Sequence, residues 1–598
     1  MTLKDKQYDI KDILKIPFQY SPFYSFLIII LKVIGGIVPT ISMLATAGFI
    51  NATINKLQKN NDTYISIVIP LVCIVICAIY SWCSTQLIEL AEAKLENNLR
   101  KTFRVFIVER IASLKYNYIE NAESCNLISR VIKEPETQCQ KGFSKFFDLV
   151  YLILKILGIL IILFTQIWWA AIIIFLIAIP VFKIAIKGGE VNYAAYREAQ
   201  KYNRKANYYS EVLTGRDAVS ERALFNYSDK VNEYWYSQFD QSRKLMRKAN
   251  INWARQAGLG GFATSLLTAS IVILLIFPVK SGVLTIGLFI SIINNVVSLI
   301  PDLSWELPEC AEVLAQNLEY MKDLSAFINL DNNSEYLDLP DKNPICIETV
   351  EFKKVSFRYP DSKQFILNNL CIKIEKGKHY AFVGINGAGK STIIKLLLGL
   401  YEDFDGEILI NGISIKNYTQ SQLKSMFSVV FQDYAKYAVT LKDNILLGNI
   451  QENSISEILN IMNIIDLNNV VNNLPNGIDS YLGKIHHNSV DISGGQWQRV
   501  AMARAMMSCA TIRILDEPTA SLDPISESKL YEKFEEISKG QTTIFISHRL
   551  GSTKLADIIY VIENGSVIEK GNYYDLMKNN GTYSRMFESQ RSWYENEK

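Results

Sequence analysis

The chain has 598 residues, a formal net charge of +2, and 20% charged against 49% hydrophobic residues. That length accommodates two or more domains with cores of their own, and the near-balanced charge argues against an electrostatic nucleic-acid binder. Nine cysteines without a C-x-x-C pair read as reduced, mostly buried thiols, and four histidines are too few for a His-based metal cluster.

The composition changes along the chain. The first half alternates long apolar runs with highly charged ones, whereas the second half reads like an ordinary α/β domain. Asp9 to Tyr20 is a charged amphipathic stretch, expected to lie along a membrane surface as an elbow helix. A spanning helix needs ~20 mostly apolar residues. Six stretches meet that need: Tyr24–Phe49, Tyr64–Cys83, Leu149–Gln166, Trp168–Ile186, Leu259–Val279 and Val283–Ile300. The first is too long for a cleavable signal peptide.

The connections carry the topology. Two charged, helical-looking segments of about sixty residues follow the second and fourth spans and read as the spans' own helices continuing tens of Å beyond the membrane. Lys94, Arg100, Lys101, Arg104 and Arg110 lie on the first; Arg197, Lys201, Arg204, Arg243 and Lys248 are among the bases of the second. The remaining connections are short, so the positive-inside rule and the even number of spans put both termini and both long segments in the cytoplasm. Each segment has to turn back through a short transverse helix, for which Tyr118–Leu127 and Ala218–Tyr227 are the candidates. Asn329 to Pro344 is polar and aperiodic and reads as a linker. The expected domains are therefore a membrane domain over 1–328, the linker over 329–344 and a soluble domain over 345–598.

Within the soluble domain, a strand-like run, His379–Val383, leads into Gly384-Ile385-Asn386-Gly387-Ala388-Gly389-Lys390-Ser391-Thr392, and a helix-like run from Ile393 to Leu400 leaves it. This fits G-x-x-x-x-G-K-[ST]. The glycines let backbone N–H groups face a polyphosphate at the positive end of a helix, Lys390 can reach the β- and γ-phosphates, and the Ser391 hydroxyl can ligate Mg²⁺. The order of further motifs is specific. Val355-Ser356-Phe357-Arg358-Tyr359-Pro360 lies upstream, and Gln432 ends an apolar strand, Ser428–Phe431. Ile492-Ser493-Gly494-Gly495-Gln496 then opens a helix carrying Arg499 and Arg504. A strand ends in Asp516-Glu517, Ser521-Leu522-Asp523 follows, and Ile544-Phe545-Ile546-Ser547-His548 closes the series.

This series resembles the nucleotide-binding domain of ATP-binding cassette (ABC) transporters, and the six spans with long extensions resemble the exporter type of that family. The resemblance implies an all-α six-span membrane domain followed by an α/β P-loop ATPase, with ATP and Mg²⁺ as cofactors. By matching position it implies that Tyr359 stacks on adenine, that Asp516 holds Mg²⁺ through water beside Ser391 and Gln432, that Glu517 polarises the attacking water, and that His548 contacts the γ-phosphate. Ser493, Gly494 and Gly495 make a second anion-binding surface that, in the family, faces the ATP of a partner domain, with Asp523 at that interface. A chain with one such domain then works as a dimer, most simply a homodimer, with a heterodimer as the alternative.

One segment departs from the family. Where many exporters carry an acidic Glu-Arg-Gly-like motif, this chain reads Leu482-Gly483-Lys484-Ile485-His486-His487-Asn488, which leaves open how the domain meets the transverse helices. His486 and His487 are expected on a solvated loop. Trp497 after Ser-Gly-Gly-Gln, and Phe431-Gln432-Asp433-Tyr434 running on to Thr440–Asn444, resemble exporters of lantibiotics and related ribosomal peptides. Multidrug and lipid exporters are the alternatives. The chain starts almost at the elbow helix, which leaves no room for an N-terminal peptidase domain. Asn294 and Asn295 at mid-membrane depth, with Asp302, Glu306 and Glu309 beyond them, fit either a polar cargo path or helix–helix hydrogen bonding. Intact Glu517 and His548 favour repeated turnover over an ATP-gated channel, and six spans exclude a soluble ATPase acting on DNA or ribosomes.

Overall fold

The structure is a computed structural model that describes residues 7–59, 64–166, 168–216, 218–360, 362–450, 454–518, 527, 541–547 and 550–595. It divides into two compact units: Met1–Arg110 with Asn126–Leu330, and Ile111–Cys125 with Asp331–Lys598.

The first unit is helical throughout. Helix α1 (Ile10–Tyr20) starts at a capping box in which Asp9 and Asp12 accept from each other's ends of the turn, and it buries Ile13 and Ile16 while leaving Lys11 and Lys15 exposed. This is the expected amphipathic helix. It packs on α2 (Pro22–Lys59), α6 (Pro135–Gln166) and α11 (Leu307–Ile328). Between these in the chain come α3 (Ile65–Ala112), α5 (Ala122–Val131), α7 (Trp168–Thr214), α8 (Val219–Phe225), α9 (Ser228–Lys280) and α10 (Ile286–Pro301), while α4 (Tyr116–Glu120), between α3 and α5 in the chain, belongs to the second unit.

Five of the six expected spans lie, to within a residue, in the long helices α2, α3, α6, α7 and α9, whereas the sixth, Val283–Ile300, is helical only from Ile286, in the 16-residue α10. Among the described residues, three stretches are long and apolar enough to cross a membrane by themselves: Pro22–Gln58, Ile65–Ala112 and Pro135–Thr165. Among the described residues the apolar parts of α9 and α10, Thr268–Lys280 and Ile286–Leu299, are shorter. Helix α3 shows why one helix can serve two solvents. Its first part exposes Ile69, Val72, Ile76 and Ile79, a surface suited to lipid. Further along, Ala91, Leu95, Leu99, Phe103 and Ile107 recur every fourth residue and are buried, the stripe of an amphipathic helix in water.

The first candidate transverse turn, Tyr118–Leu127, is not one helix but covers the end of α4 and the start of α5, with Asn121 between them; the second, Ala218–Tyr227, holds α8, closed by Asn226 in the left-handed conformation with φ +50°. Between α10 and α11 the ladder widens into a π-helical turn, Asp302–Glu306, next to Pro301, whose ring nitrogen has no proton to give.

Polar groups in this unit are mostly satisfied internally. Lys32 on α2 is 5% exposed, and its ammonium lies 2.7 Å from Asp148 and 3.2 Å from Glu92 while donating to the Ser144 backbone and hydroxyl oxygens. Lys155 pairs with Asp302 at 2.5 Å and Lys145 with Glu309 at 2.9 Å. Asn295 donates to Ser291 O of its own helix at 2.9 Å. Two of the three acidic groups for which a cargo path and helix–helix bonding were both open, Asp302 and Glu309, are thus paired with lysines of α6, which favours the helix–helix reading for them. Helices α2 and α6 also approach closely: a Cβ on Gly36 would stand 2.8 Å from Leu154 Cβ, and one on Gly158 would overlap Thr40 Oγ1 at 1.8 Å.

The second unit holds two sheets. Strands β1 (Thr349–Phe357), β2 (Leu367–Glu375), β4 (Asp405–Ile410) and β5 (Ile413–Ser414) form an antiparallel sheet in the order β2-β1-β4-β5. The other sheet, in the order β10-β9-β3-β8-β7-β6, comprises β3 (His379–Val383), β6 (Phe427–Val430), β7 (Ile512–Asp516), β8 (Thr542–Ile546), β9 (Ile558–Glu563) and β10 (Ser566–Gly571). All of its pairings are parallel except that of β10 with β9. Strands β7 and β8 are buried at every residue, as a sheet covered on both faces requires.

Helix α12 (Lys390–Leu397) leaves the phosphate loop three residues earlier than expected and stops at Gly399, whose φ is +69°. Helices α13 (Gln420–Met426), α14 (Leu441–Leu446), α15 (Ile455–Ile464), α16 (Asn468–Asn472) and α17 (Gly494–Met507) follow, with α18 (Tyr573–Lys578) and α19 (Thr582–Glu595) after the last strand. Part of this set builds a separate helical core in which Trp497 is buried with Leu441, Ile445, Ile461 and Val500.

The polar segment 329–344 is docked rather than free within this unit. Lys424 donates to Tyr336 O (2.7 Å) and Asp338 O (2.8 Å), Glu335 accepts from Gln420 N (3.0 Å), and Asn333 N donates to Ser113 O (2.9 Å).

Because Lys32 is buried between two carboxylates, Lys32→Ala in nanodiscs is expected to lower stability by about 3–5 kcal/mol. Lys32→Met combined with Glu92→Gln and Asp148→Asn should lose less than half of that. Thermal denaturation of the two variants checks this, and equal losses would contradict the pairing.

Candidate functional site

The phosphate loop is set by what β3 and its neighbours exclude. A Cβ on Gly384 would stand 2.2 Å from Ile562 O, and one on Gly389, where φ is +100°, would stand 2.6 Å from Leu367 Cδ2. Only glycine fits both demands. The loop then turns directly into α12, bringing Asn386, Gly387 and the amide groups of Lys390, Ser391 and Thr392 to a helix N-terminus.

Lys390 is 6% exposed and donates to Gly384 O (2.8 Å) and Ile385 O (3.0 Å). The loop thus holds its own cation, which can exchange these carbonyls for phosphate oxygens. Burial pushes the Lys390 ammonium below its ordinary pKa, while Glu517 and Asp516 act in the opposite direction.

Two carboxylates meet this lysine from the end of β7. Asp516 is 4% exposed and accepts from Ser391 Oγ at 3.1 Å. Burial raises its carboxyl from 3.8 to about 6, aided by the charge of Glu517 and opposed by the Ser391 hydrogen bond and Lys390. The next residue, Glu517, takes a left-handed backbone, φ +51°, and its N–H donates to Ile546 O at 2.9 Å. Its carboxylate accepts from Gln432 Nε2 at 3.0 Å, and its backbone carbonyl accepts from Gln498 Nε2 at 3.0 Å.

The carboxylate and hydroxyl ligands here are oxygens, and the hydroxyl that donates to Asp516 is neutral. A hard divalent cation suits a buried anion of this kind. Among the described residues no group of three or more His, Cys, Asp or Glu side chains could hold a metal alone, so such a cation would draw on Ser391, Gln432 and phosphate oxygens as well.

Tyr359 lies just beyond β1. Its hydroxyl shares a 3.0 Å hydrogen bond with Thr392 Oγ1, and its ring meets Phe357 and Tyr401 edge-on, with centroids 5.2 and 5.5 Å away. It also forms part of the wall of a cavity of about 850 Å³, with Arg358 and Phe365.

Ser493 caps α17. Its Oγ accepts from Gln496 N (3.3 Å) and Gln496 Oε1 accepts from Ser493 N (2.9 Å), so this pair bonds itself rather than the phosphate loop. Gly494 and Gly495 form the first turn, and Tyr434 Oη donates to Gly494 O at 2.8 Å. Trp497 donates to Asp491 Oδ1 at 3.1 Å. Arg504 donates to Asn444 O and Oδ1 and reaches Ala435 O, tying the segment after Gln432 to α17. The departing segment is exposed from Lys484 to Asn488, as expected for His486 and His487, yet it is not loose: Leu482 is buried, Lys484 pairs with Asp491 at 3.2 Å and His486 Nε2 is 3.2 Å from Ala438 O. His548 and Asp523 lie outside the described residues.

The structure therefore brings Tyr359, the phosphate loop, Gln432, Asp516 and Glu517 into one bonded group. Sequence reasoning missed Gln498 and, although it singled out Tyr434, Asn444 and Arg504 within motifs, it did not find the bonds that Tyr434 makes to Gly494 or Arg504 to Asn444.

Comparison with known proteins follows this geometry. Residues 25–300 match the ABC transporter transmembrane region family and residues 367–520 the ABC transporter family. The chain is 31% identical over 572 residues to the subtilin transport ATP-binding protein SpaT of Bacillus subtilis, covering 94% of this chain and 90% of that one. It is 27% identical to the nisin transport ATP-binding protein NisT of Lactococcus lactis (97% and 95% covered) and 27% identical to the ATP-dependent lipid A-core flippase of Escherichia coli K12 (88% and 89%). The solved structure of a bacterial Atm1-family ABC exporter with ATP bound superposes with a TM-score of 0.79 at 20% identity, covering 94% of this chain and all of that one.

The Asp516 geometry sets a pH dependence. The folded carboxyl keeps its proton to about pH 6, whereas an unfolded aspartate releases it near ~3.9. Folding takes up a proton between these values, so stability falls as pH rises through that window and stays reduced above it. Without nucleotide and metal, Asp516→Asn is expected to be more stable than the parent by about 2–3 kcal/mol at pH 8, with the gain shrinking below pH 6. Melting curves at several pH values check this; a pH-independent difference would contradict it.

Proposed function

Since this chain belongs to the ABC transporter family, with membrane region and ATPase domain on one polypeptide, we propose that it exports a ribosomally made, modified peptide from a bacterial cell as a dimer, most simply of two identical chains. The observation that carries the peptide reading is the similarity to the subtilin transport protein along 94% of the chain, which takes in the membrane region where cargo would be recognised. Trp497 and the Phe431–Tyr434 segment, held against α17, belong to the same resemblance. Lipid flipping is the second reading, favoured by similarity to the lipid A-core flippase over 88% of the chain.

The roles proposed for the site are those that the family resemblance implies, and for the described residues the geometry is compatible with them. Lys390 exchanges the Gly384 and Ile385 carbonyls for β- and γ-phosphate oxygens, and loop amides from Gly384 to Thr392 supply the remaining donors. Tyr359 stacks on the adenine. Ser391 and Asp516, with Gln432 nearby, would hold Mg²⁺, which when bound neutralises charge on the phosphates. Gln432 orients the Glu517 carboxylate, and Glu517 takes a proton from the attacking water. His548 is assigned to the γ-phosphate and Asp523 to the interface. Ser493, Gly494, Gly495 and Gln496 present the start of α17 to the nucleotide of the partner chain.

In this reading ATP binding draws two ATPase domains together, and loss of the γ-phosphate releases them. The membrane helices then alternate between two states biased by nucleotide. Both termini and the transverse turns lie on the cytoplasmic side of the inner membrane, and α1 rests on the surface lipid.

Glu517→Gln is expected to lower ATP hydrolysis by about 10²–10⁴-fold while retaining ATP binding. In nanodiscs, lanthionine-containing cationic peptides should stimulate the parent enzyme and leave the variant silent. Stimulation by lipid alone would favour the flippase reading over peptide export.

A further inference from the structure

The second unit contains a chain of side-chain contacts that runs from the first transverse turn to Tyr359. Glu120, the last residue of α4, accepts from Lys395 Nζ at 2.7 Å through Oε1 and from the Tyr401 hydroxyl through Oε2. Tyr401 is 5% exposed and meets both Tyr116 of α4 and Tyr359 edge-on, with centroids 5.5 Å away in each case and interplanar angles of 88° and 81°. Lys395, one turn along α12 from Ser391 and Thr392, places its ammonium 5.5 Å from the centroids of both Tyr116 and Tyr359. The Tyr359 hydroxyl is tied in turn to Thr392 of the phosphate loop.

Each contact restrains the next. The carboxylate of Glu120 accepts from both Lys395 and Tyr401, so it fixes the lysine between two rings and fixes the tyrosine that buttresses Tyr359. The rest of the turn is anchored in the same unit: Lys115 pairs with Glu402 at 3.2 Å, and its N–H donates to Asp331 O at 3.4 Å. Moving α4 would therefore pull on the two groups that hold the Tyr359 ring in place.

We infer that Glu120, Tyr401 and Lys395 are positioning residues for the nucleobase, so that the first transverse turn sets the affinity of the ATP site through the orientation of Tyr359. This rests on the reading that Tyr359 stacks on adenine. Linkage makes the effect reciprocal: a base docked on Tyr359 stabilises this arrangement of α4. The contribution is specific to the base, because the phosphates are held by the loop and Lys390, which this chain of contacts reaches only at Thr392.

The test compares ATP with inorganic triphosphate, which carries no base, by equilibrium binding to the full-length chain in nanodiscs. Tyr401→Phe keeps the ring and removes the hydroxyl; Glu120→Gln keeps the shape and removes the charge. Each is expected to weaken ATP binding about three- to ten-fold, the size of one lost edge-on or cation–π restraint. Triphosphate binding should stay within about two-fold, since it uses none of these rings. The double variant should be no weaker than the weaker single one, because both act through one route. Unchanged ATP binding, or equal weakening of ATP and triphosphate, would overturn the inference. Tyr359→Ala separates the two levels. If it abolishes the preference for ATP over triphosphate while Glu120→Gln retains that preference, stacking stands and the route from α4 fails. If Tyr359→Ala leaves the preference intact, the stacking reading fails and the inference falls with it.

Discussion

A buried carboxylate whose described bond comes from the neutral Ser391 hydroxyl is the constraint around which the ATPase domain is organised. Strand β7 ends at Asp516, and burial raises that carboxyl to about 6, so the ligand-free fold is held at some electrostatic cost. Lys390 faces the converse problem, a cation kept by two loop carbonyls. A nucleotide with a divalent cation relieves both, since its phosphates suit the lysine and its metal suits the aspartate. Sites that conflict with the stability of their own fold are where proteins carry function, and the left-handed backbone at Glu517 adds a further departure at the same strand end.

The membrane unit solves a related problem differently. Lys32, buried on α2, receives two carboxylates from neighbouring helices, so its charge is closed within the protein. Lys155 and Lys145 do the same for Asp302 and Glu309. These three lysines of the membrane unit thus have carboxylate partners, whereas Asp516 is a charge in waiting. That difference fits a scaffold that shifts between helix packings and a motor whose charges change partners at every turnover.

Much of this was legible in the sequence because the signals are local. Glycines that permit a positive φ, a strand feeding a helix, and apolar runs long enough to span a bilayer are all read within a window of a few turns. The phosphate loop, Asp516, Glu517 and the helices carrying the expected spans follow from such windows. What escaped depends on contacts between distant segments. Glu120 and Lys395 are 275 residues apart and neither belongs to a motif. The segment 329–344 has a loop composition, but Lys424 supplies a cation for its carbonyls, and no period in the sequence announces that. The helix after the phosphate loop was placed three residues late because glycine and lysine look like loop residues, whereas Lys390 is already its first helical residue. The bond from Gln432 to Glu517 joins two strand ends that only the sheet order β8-β7-β6 brings side by side.

The central claim is that ATP turnover at this site drives a modified peptide across the membrane. The most direct measurement is uptake of a fluorescent lanthionine peptide into sealed inside-out proteoliposomes containing the full chain, with Glu517→Gln as the matched control. The account predicts accumulation that requires ATP and is lost in the variant. Hydrolysis without peptide accumulation, together with ATP-dependent movement of labelled lipid between leaflets, would contradict it.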